Sequence, residues 1–371
     1  MKILLLGDAS NLHNTLAVEL RREGHSVVVA SDGSRWMDTD RDITLRRGSG
    51  MLGTARYLGK LALTLPRLRG YDVVQLAGPM FLQLRPEKLR HILSYLRKHN
   101  RRVMMTALAT DPTYYAACHD GTTYRYSDYR IGGEPSPFTL SREDRERHHA
   151  DWTLPAVTAY HAHLLEQVDG VVACLWEYYA AYRRYAPRVA LSYSGIPIDT
   201  DRLVPQRSID TVPERIRLFI GIQRERTILK GTDRLLAAAR RVAARHPDRV
   251  ELDVVENLPY KQYIGRMAQA HVILDQLYSY TPATNALIGM AQGLVALSGA
   301  EPEYYSLIGE TANRPIVNVS PLVEGDIERQ LEALVERRDR LPAMAAASRA
   351  FVVKHNAAPV VASRFVEMWR K

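Results

Sequence analysis

Short apolar runs alternate with amphipathic stretches along the chain. Residues 2–8, KILLLGD, read as a strand, and 11–23 read as a helix with Leu12, Leu16 and Leu20 on one face. HSVVVAS at 25–31, YDVVQLAG at 71–78, RRVMMTALAT at 101–110 and DGVVACL at 169–175 continue the strand pattern, with the helix RPEKLRHILSYLRKHN at 85–100 between two of them. The second half repeats the theme. RIRLFIGI (215–222), VELDVVEN (250–257), AHVILDQL (270–277), LVALSG (294–299) and PIVNVS (315–320) read as strands. Helices at 232–246, 261–269 and 283–292 separate them, and a last helical region begins near Asp326. Near-continuous apolar strands separated by helices predict parallel sheets covered on both faces.

The pattern breaks in two places. SYSGIPIDTDRLVPQ at 192–206 carries Gly195, Pro197 and Pro205 and reads as the hinge between two halves. The segment 111–152 is long, polar and rich in tyrosine, with Tyr114, Tyr115, Tyr124, Tyr126 and Tyr129. A loop of that length is uncommon unless functional or disordered, and it is too aromatic for disorder. It reads either as an overhang offering tyrosines to a hydroxyl-rich partner such as a sugar, or as a lid whose tyrosines pack on the domain. The expected domains are 1–194 with insertion 111–152, then 195–350, then a terminal helix 351–371 packing back towards the first domain.

The 371 residues exceed one typical core, so two domains fit the length. Two cysteines, Cys118 and Cys174, make no disulfide framework and suit a reducing cytoplasm. The opening apolar run is too short for a secretory signal, and no stretch approaches the ~20 apolar residues of a membrane span. Charge changes the picture most. The chain carries +9, yet residues 41–102 hold fourteen bases against three acids, or +11. Such a surplus points to an anionic partner. Within it, Leu52, Leu58, Leu61 and Leu65 alternate with Arg56, Lys60, Arg67 and Arg69, a pattern suited to an anionic membrane surface or to a core-packed helix with a basic face. No nucleic-acid module appears, and the bases are not interleaved with stacking aromatics, so nucleic acid is not expected.

Candidate chemistry clusters after strands. In GIQRERTILKGTDRLL (221–236), Arg224, Arg226 and Lys230 precede Gly231 and Thr232 at a helix start, an arrangement that suits a diphosphate. The loop GDASNLHNT at 7–15 offers Ser10, Asn11 and Asn14 for a helix cap or an acceptor contact, but it is not a GxGxxG fingerprint. Asp111 before Pro112 reads as a catalytic carboxylate or a turn residue, with His119 nearby. His148, His149, Asp151, His161 and His163 form no clear metal-ligand pair, so no metal is expected.

From Arg215 to Pro321 the chain resembles the donor domain of GT-B glycosyltransferases of the family 4 type. The resemblance rests on Gly221, Arg224, Lys230 and Gly231, then Leu258–Pro259, then AHVILDQL, then IGMAQG followed by LVALSG. It implies an α/β GT-B architecture with two Rossmann-like parallel-sheet domains facing a central cleft. It implies a metal-independent sugar transfer from a nucleotide-sugar, needing no other cofactor, to a glycan or lipid-linked saccharide in surface polysaccharide synthesis. The enzyme would work in the cytoplasm, at the inner face of the membrane. On this resemblance Arg224, Lys230 and Gly231 bind the donor, together with Tyr280, Thr281 and Asn285. The family's two glutamates fall on Tyr280 and Ile288, neither of them acidic; Glu256, Asp275 and Glu301 are the candidate substitutes. That departure leaves two alternatives: a non-catalytic glycan-binding or scaffold protein, or a sugar-nucleotide epimerase, on the same fold.

Overall fold

The computed structural model describes residues 1–34, 37–141 and 149–371; the side chains of 149 and 150 are not described. The chain forms two compact units. The first comprises Met1–Ala116, Arg147–Pro197 and Ala358–Lys371, and the second Ala117–Glu146 and Ile198–Ala357.

The first unit is built on seven parallel strands: β1 (Lys2–Leu6), β2 (Ser26–Ser31), β3 (Ile43–Thr44), β4 (Val73–Ala77), β5 (Arg102–Ala107), β8 (Gly170–Ala173) and β9 (Ala190–Tyr193). Their order is β3-β2-β1-β4-β5-β8-β9. The central strands are buried end to end: Ile3, Leu4, Leu5 and Leu6 have no exposed surface. That explains their unbroken apolar run, since a parallel sheet is covered on both faces. The order reverses direction between β1 and β4, which makes that junction the switch point of the sheet.

The second unit holds β10 (Ile216–Ile222), β11 (Val250–Glu256), β12 (Val272–Leu274), β13 (Val295–Ser298) and β14 (Val317–Asn318), all parallel. Their order, β11-β10-β12-β13-β14, places the switch point between β10 and β12. The core gathers Leu218, Ile220, Leu274, Val295 and Leu297 from the strands with Leu235, Ala239, Leu331 and Leu334 from flanking helices.

The tyrosine-rich segment is divided. Residues up to Ala116 stay with the first unit, whereas Ala117–Glu146 folds with the second, carrying the hairpin β6 (Arg130–Ile131) and β7 (Glu134–Pro135). Its tyrosines are packed inward: Tyr126 and Tyr129 are at most 1% exposed. Over residues 111–141 the tyrosines pack on the protein as the second reading expected, so their rings are not offered outward; 142–148 lie outside the described residues. The chain returns to the first unit at Ala358 rather than at 351. There the helix Ala358–Arg370 packs on the helix Leu12–Arg22, and the Trp369 indole N–H donates to Gln75 Oε1 at 2.8 Å.

Candidate functional site

The switch point of the second sheet brings the chemistry of that unit together. β10 leads through Gln223 into a 3-10 turn, Arg224–Arg226, and a one-turn helix, Thr227–Lys230. Gly231 then adopts φ +69°, and a Cβ there would lie 2.8 Å from the Cβ of Leu277. Only glycine makes this turn against the neighbouring strand exit. The Leu277 N–H donates to the Lys230 carbonyl at 2.9 Å, which pins Lys230 beside the end of β12. Lys230 is half-buried. Loss of hydration pushes its ammonium pKa down, while Asp275 and Asp128 pull it up.

Asp275, the first residue past β12, is 3% exposed. Its Oδ1 accepts from Asn285 Nδ2 at 3.0 Å, and Asn285 Oδ1 accepts from the Tyr263 hydroxyl at 2.7 Å. Asn285 sits in the first turn of the helix Thr284–Ala291, whose N-cap residue, Ala283, has no side chain able to cap it. Among the described residues, Asp275 Oδ2 and Gln223 Oε1 are buried and have no hydrogen-bond partner. Buried polar atoms in native proteins are nearly always satisfied by protein, water or ligand, so these two oxygens are open acceptors at the switch point. An ammonium, an orphaned carboxylate oxygen and a helix start together match a ligand that carries both an anion and hydroxyl groups.

Other expected donor contacts lie elsewhere in this unit. Arg224 Nε donates to Glu256 at 2.7 Å in an exposed pair beside an open depression of about 360 Å³. Glu301 and Tyr280 were expected at the donor, but both hold the inserted segment. Glu301 Oε1 accepts from the Tyr126 hydroxyl at 2.7 Å and from Asn318 Nδ2 at 3.1 Å, and its Oε2 accepts from Arg125 at 2.6 Å. The Tyr280 oxygen accepts the Arg125 backbone N–H at 2.6 Å, and its ring stacks on Tyr126 at 4.8 Å. Gly299 makes this closure possible, for a Cβ there would lie 1.6 Å from the Ser279 carbonyl oxygen. Thr281 is 1% exposed, and Ile288, where the resembled family has an acid, is also buried.

In the first unit the turn after β1 is closed on itself. Asp8 Oδ1 accepts the His13 backbone N–H at 2.9 Å and Oδ2 accepts from the Thr39 hydroxyl at 2.9 Å. Burial raises the Asp8 pKa to about 6 and lowers that of His13 to about 4. His13 is therefore neutral near pH 7. Its Nδ1 bonds the Gly7 carbonyl at 2.8 Å, and its Nε2 is buried without a partner. Neither Asp8 nor His13 was singled out from the sequence. One signal was available for His13: it falls on the buried helical stripe with Leu16, Ala17 and Leu20. Ser10 and Asn11 both take positive φ, and Asn14 Nδ2 donates to Asn11 Oδ1 at 2.9 Å.

Asp111 is fully buried; Oδ1 accepts the Tyr114 N–H at 2.8 Å and Oδ2 accepts from the Tyr182 hydroxyl at 2.6 Å. The turn-residue reading describes it, since both oxygens are spent starting a helix and tethering a tyrosine. His119 belongs to the other unit, where its ring lies 5.0 Å from that of Tyr129. Among the described residues no group of three His, Cys, Asp or Glu side chains gathers to hold a metal. His161 Nε2 instead contacts the Thr113 hydroxyl at 2.7 Å. His148 and the His149 side chain lie outside the described residues.

Two parallel sheets with these strand orders define the GT-B architecture, and the chain has it. No protein-family model matches the sequence, and no curated protein matches it. Solved structures do. Sucrose-phosphate synthase from Thermosynechococcus elongatus aligns with a TM-score of 0.64 at 12% identity, covering 100% of this chain and 98% of that one. HepE of Anabaena, solved in complex with UDP and glucose, aligns at 0.62 and 12% identity over 100% of both chains. A putative UDP-N-acetylglucosamine 2-epimerase from Listeria monocytogenes aligns at 0.57 and 9% identity, covering 99% and 94%. At such identities the likeness concerns the fold, which is shared by a protein described as a synthase and by one described as a putative epimerase.

Proposed function

We propose that this protein is a glycosyltransferase that moves a sugar from a nucleotide-sugar to a hydroxyl of a glycan or lipid-linked saccharide. Surface polysaccharide is the expected product class and the cytoplasmic face of the membrane the expected workplace. The observation that carries the reading is the group at the β10–β12 switch point: Lys230, the orphaned Asp275 oxygen and Asn285. On this reading Lys230 meets the diphosphate and neutralises charge as it leaves with the nucleotide, an electrostatic role in a poorly hydrated setting. The amides at the start of Thr284–Ala291 add to it. Asp275 Oδ2 accepts from a donor hydroxyl, and the Tyr263–Asn285 chain fixes the carboxylate for that task. Arg224, whose Nε is held by Glu256, offers its terminal N–H groups to the diphosphate.

The test is calorimetric titration of UDP, ADP and GDP into the wild type and Lys230→Ala. Binding by the wild type and weakening in the variant are expected; equal affinity in both removes Lys230 from the site. A second reading, a non-catalytic glycan-binding protein, is favoured by Tyr280 and Ile288 standing where the resembled family has acids. Oligosaccharide binding without consumption of any nucleotide-sugar would establish it. An epimerase would convert the nucleotide-sugar with no acceptor present.

A further inference from the structure

The helix Gly50–Thr64 is attached to the first unit by a narrow stripe: Tyr57 and Leu61 are 3% and 4% exposed, and Thr64 is buried with them. Its opposite side is apolar and open. Met51 is 90% exposed, Leu52 65%, Leu58 43% and Leu63 83%, with Ala55 and Ala62 exposed between them. At about 100° per residue these six fall on one continuous face, pointing away from Tyr57 and Leu61. The sequence pattern grouped Leu52, Leu58, Leu61 and Leu65 as the apolar set. Packing separates them, sending Leu61 inward and leaving a different, outward set.

Charge surrounds this face on one side only. Arg56 and Lys60 lie along its edge and are exposed, as are Arg46, Arg47, Arg67 and Arg69 at the two ends. Arg47 reaches the Thr54 hydroxyl at 2.8 Å and so stays with the helix. From Ile43 to Tyr71 there are six bases and no acid. A second copy of the chain would bring the same six cations to the contact, which argues against self-association. An anionic lipid surface satisfies both features at once, since acyl chains take the leucines and headgroups take the bases. Among the described residues no helix is long and apolar enough to cross a membrane.

We propose that Gly50–Thr64 is an in-plane docking helix for an anionic phospholipid surface, with Met51, Leu52, Leu58 and Leu63 entering the acyl boundary and Arg56 and Lys60 meeting the headgroups. Fifteen residues give a contact about 22 Å long. The surface lies in the first unit and is read by lipid binding, so it stands or falls independently of the transferase reading.

The experiment is co-sedimentation of the full chain with vesicles of phosphatidylcholine alone or mixed with phosphatidylglycerol, over a salt series. Binding to the mixed vesicles alone, declining as salt rises, is expected. Two double variants separate the parts: Met51→Gln with Leu63→Gln, and Arg56→Gln with Lys60→Gln. All four side chains are exposed, so folding is retained, which circular dichroism checks. Each pair is expected to lower the partition at least about tenfold. Equal binding to neutral vesicles, or undiminished binding in either folded variant, overturns the proposal. So does lipid-free self-association in ultracentrifugation that the Met51–Leu63 pair abolishes, for the face would then belong to a second copy.

Discussion

The ends of β12 and β13 are neighbours in one sheet, and each is followed by a buried acid. Glu301, after β13, receives three donors from Tyr126, Arg125 and Asn318. Asp275, after β12, receives one donor on Oδ1 and none on Oδ2 among the described residues. The first acid holds the chain together, while the second is held in place by the chain. Asp8, after β1 in the other sheet, is a third case: both oxygens are satisfied by neutral donors, and burial still works against its charge. The contrast teaches that position at a strand end nominates an acid, but its partners decide its task.

The largest expected effect comes from breaking the holding acid. Glu301→Ala removes the buried carboxylate that accepts from Tyr126, Asn318 and Arg125. Tyr126 keeps the Ser279 carbonyl at 3.2 Å and the half-exposed Arg125 keeps Glu303. The loss is therefore that of three hydrogen bonds to a charged group, about 3 kcal/mol of stability by chemical denaturation. A loss below about 1 kcal/mol would mean that the inserted segment is anchored elsewhere.

Next is the pH response of the first unit. Asp8, held up to about 6, keeps its proton when folded and loses it when unfolded, so its contribution falls as pH rises from about 4 to 6. His13, held down to about 4, resists the proton that the unfolded chain accepts, so its contribution falls as pH drops from about 6.5 to 4. The two nearly cancel. Asp8→Asn leaves the histidine alone, and stability should then drop by about 2–3 kcal/mol between pH 6.5 and 4 relative to wild type. Parallel curves for both proteins would remove Asp8 from this balance.

Lys230→Ala should weaken nucleoside diphosphate binding by about 2 kcal/mol, roughly thirtyfold, in the calorimetric titration. The smallest effect is the sharpest discriminator. Asp275→Asn keeps an oxygen for Asn285 but sets an amide NH2 where Oδ2 lies and removes a charge near Lys230. Stability should change by less than about 1 kcal/mol, and the nucleotide-sugar should weaken by about 1 kcal/mol, or fivefold. The bare diphosphate nucleotide should be unaffected. If Asp275→Asn destabilises the fold as Glu301→Ala does, the distinction between the two acids fails.

Much of the fold was legible because parallel strands buried on both faces must be apolar throughout. KILLLGD, RIRLFIGI and AHVILDQL announced β1, β10 and β12 in that way. The two-residue strands β3 and β14 differ in why they were harder: Ile43–Thr44 has no apolar run to announce it, while Val317–Asn318 lay inside one. Of the candidate site, Gly221, Lys230 and Gly231 were legible through their order after a strand, and Asp275 through its place at a strand end. Glu301 and Tyr280 were legible as positions but not as tasks. Their partners, Arg125 and Tyr126, lie more than 150 residues away in sequence, and no local pattern records such a pairing.

The alternation of strands and helices, the two-sheet architecture, the glycine turn beside Lys230 and the basic surplus before residue 102 are all written along the chain. These are local quantities, set by hydrophobic period, backbone freedom and charge count. Which side of Gly50–Thr64 faces outward, which unit receives residues 117–141, and which of Asp275 and Glu301 keeps an oxygen without a partner among the described residues emerge only on folding. Each depends on what a side chain meets across the fold, and a hydrogen bond or an apolar contact between distant residues leaves no trace in the spacing of either one.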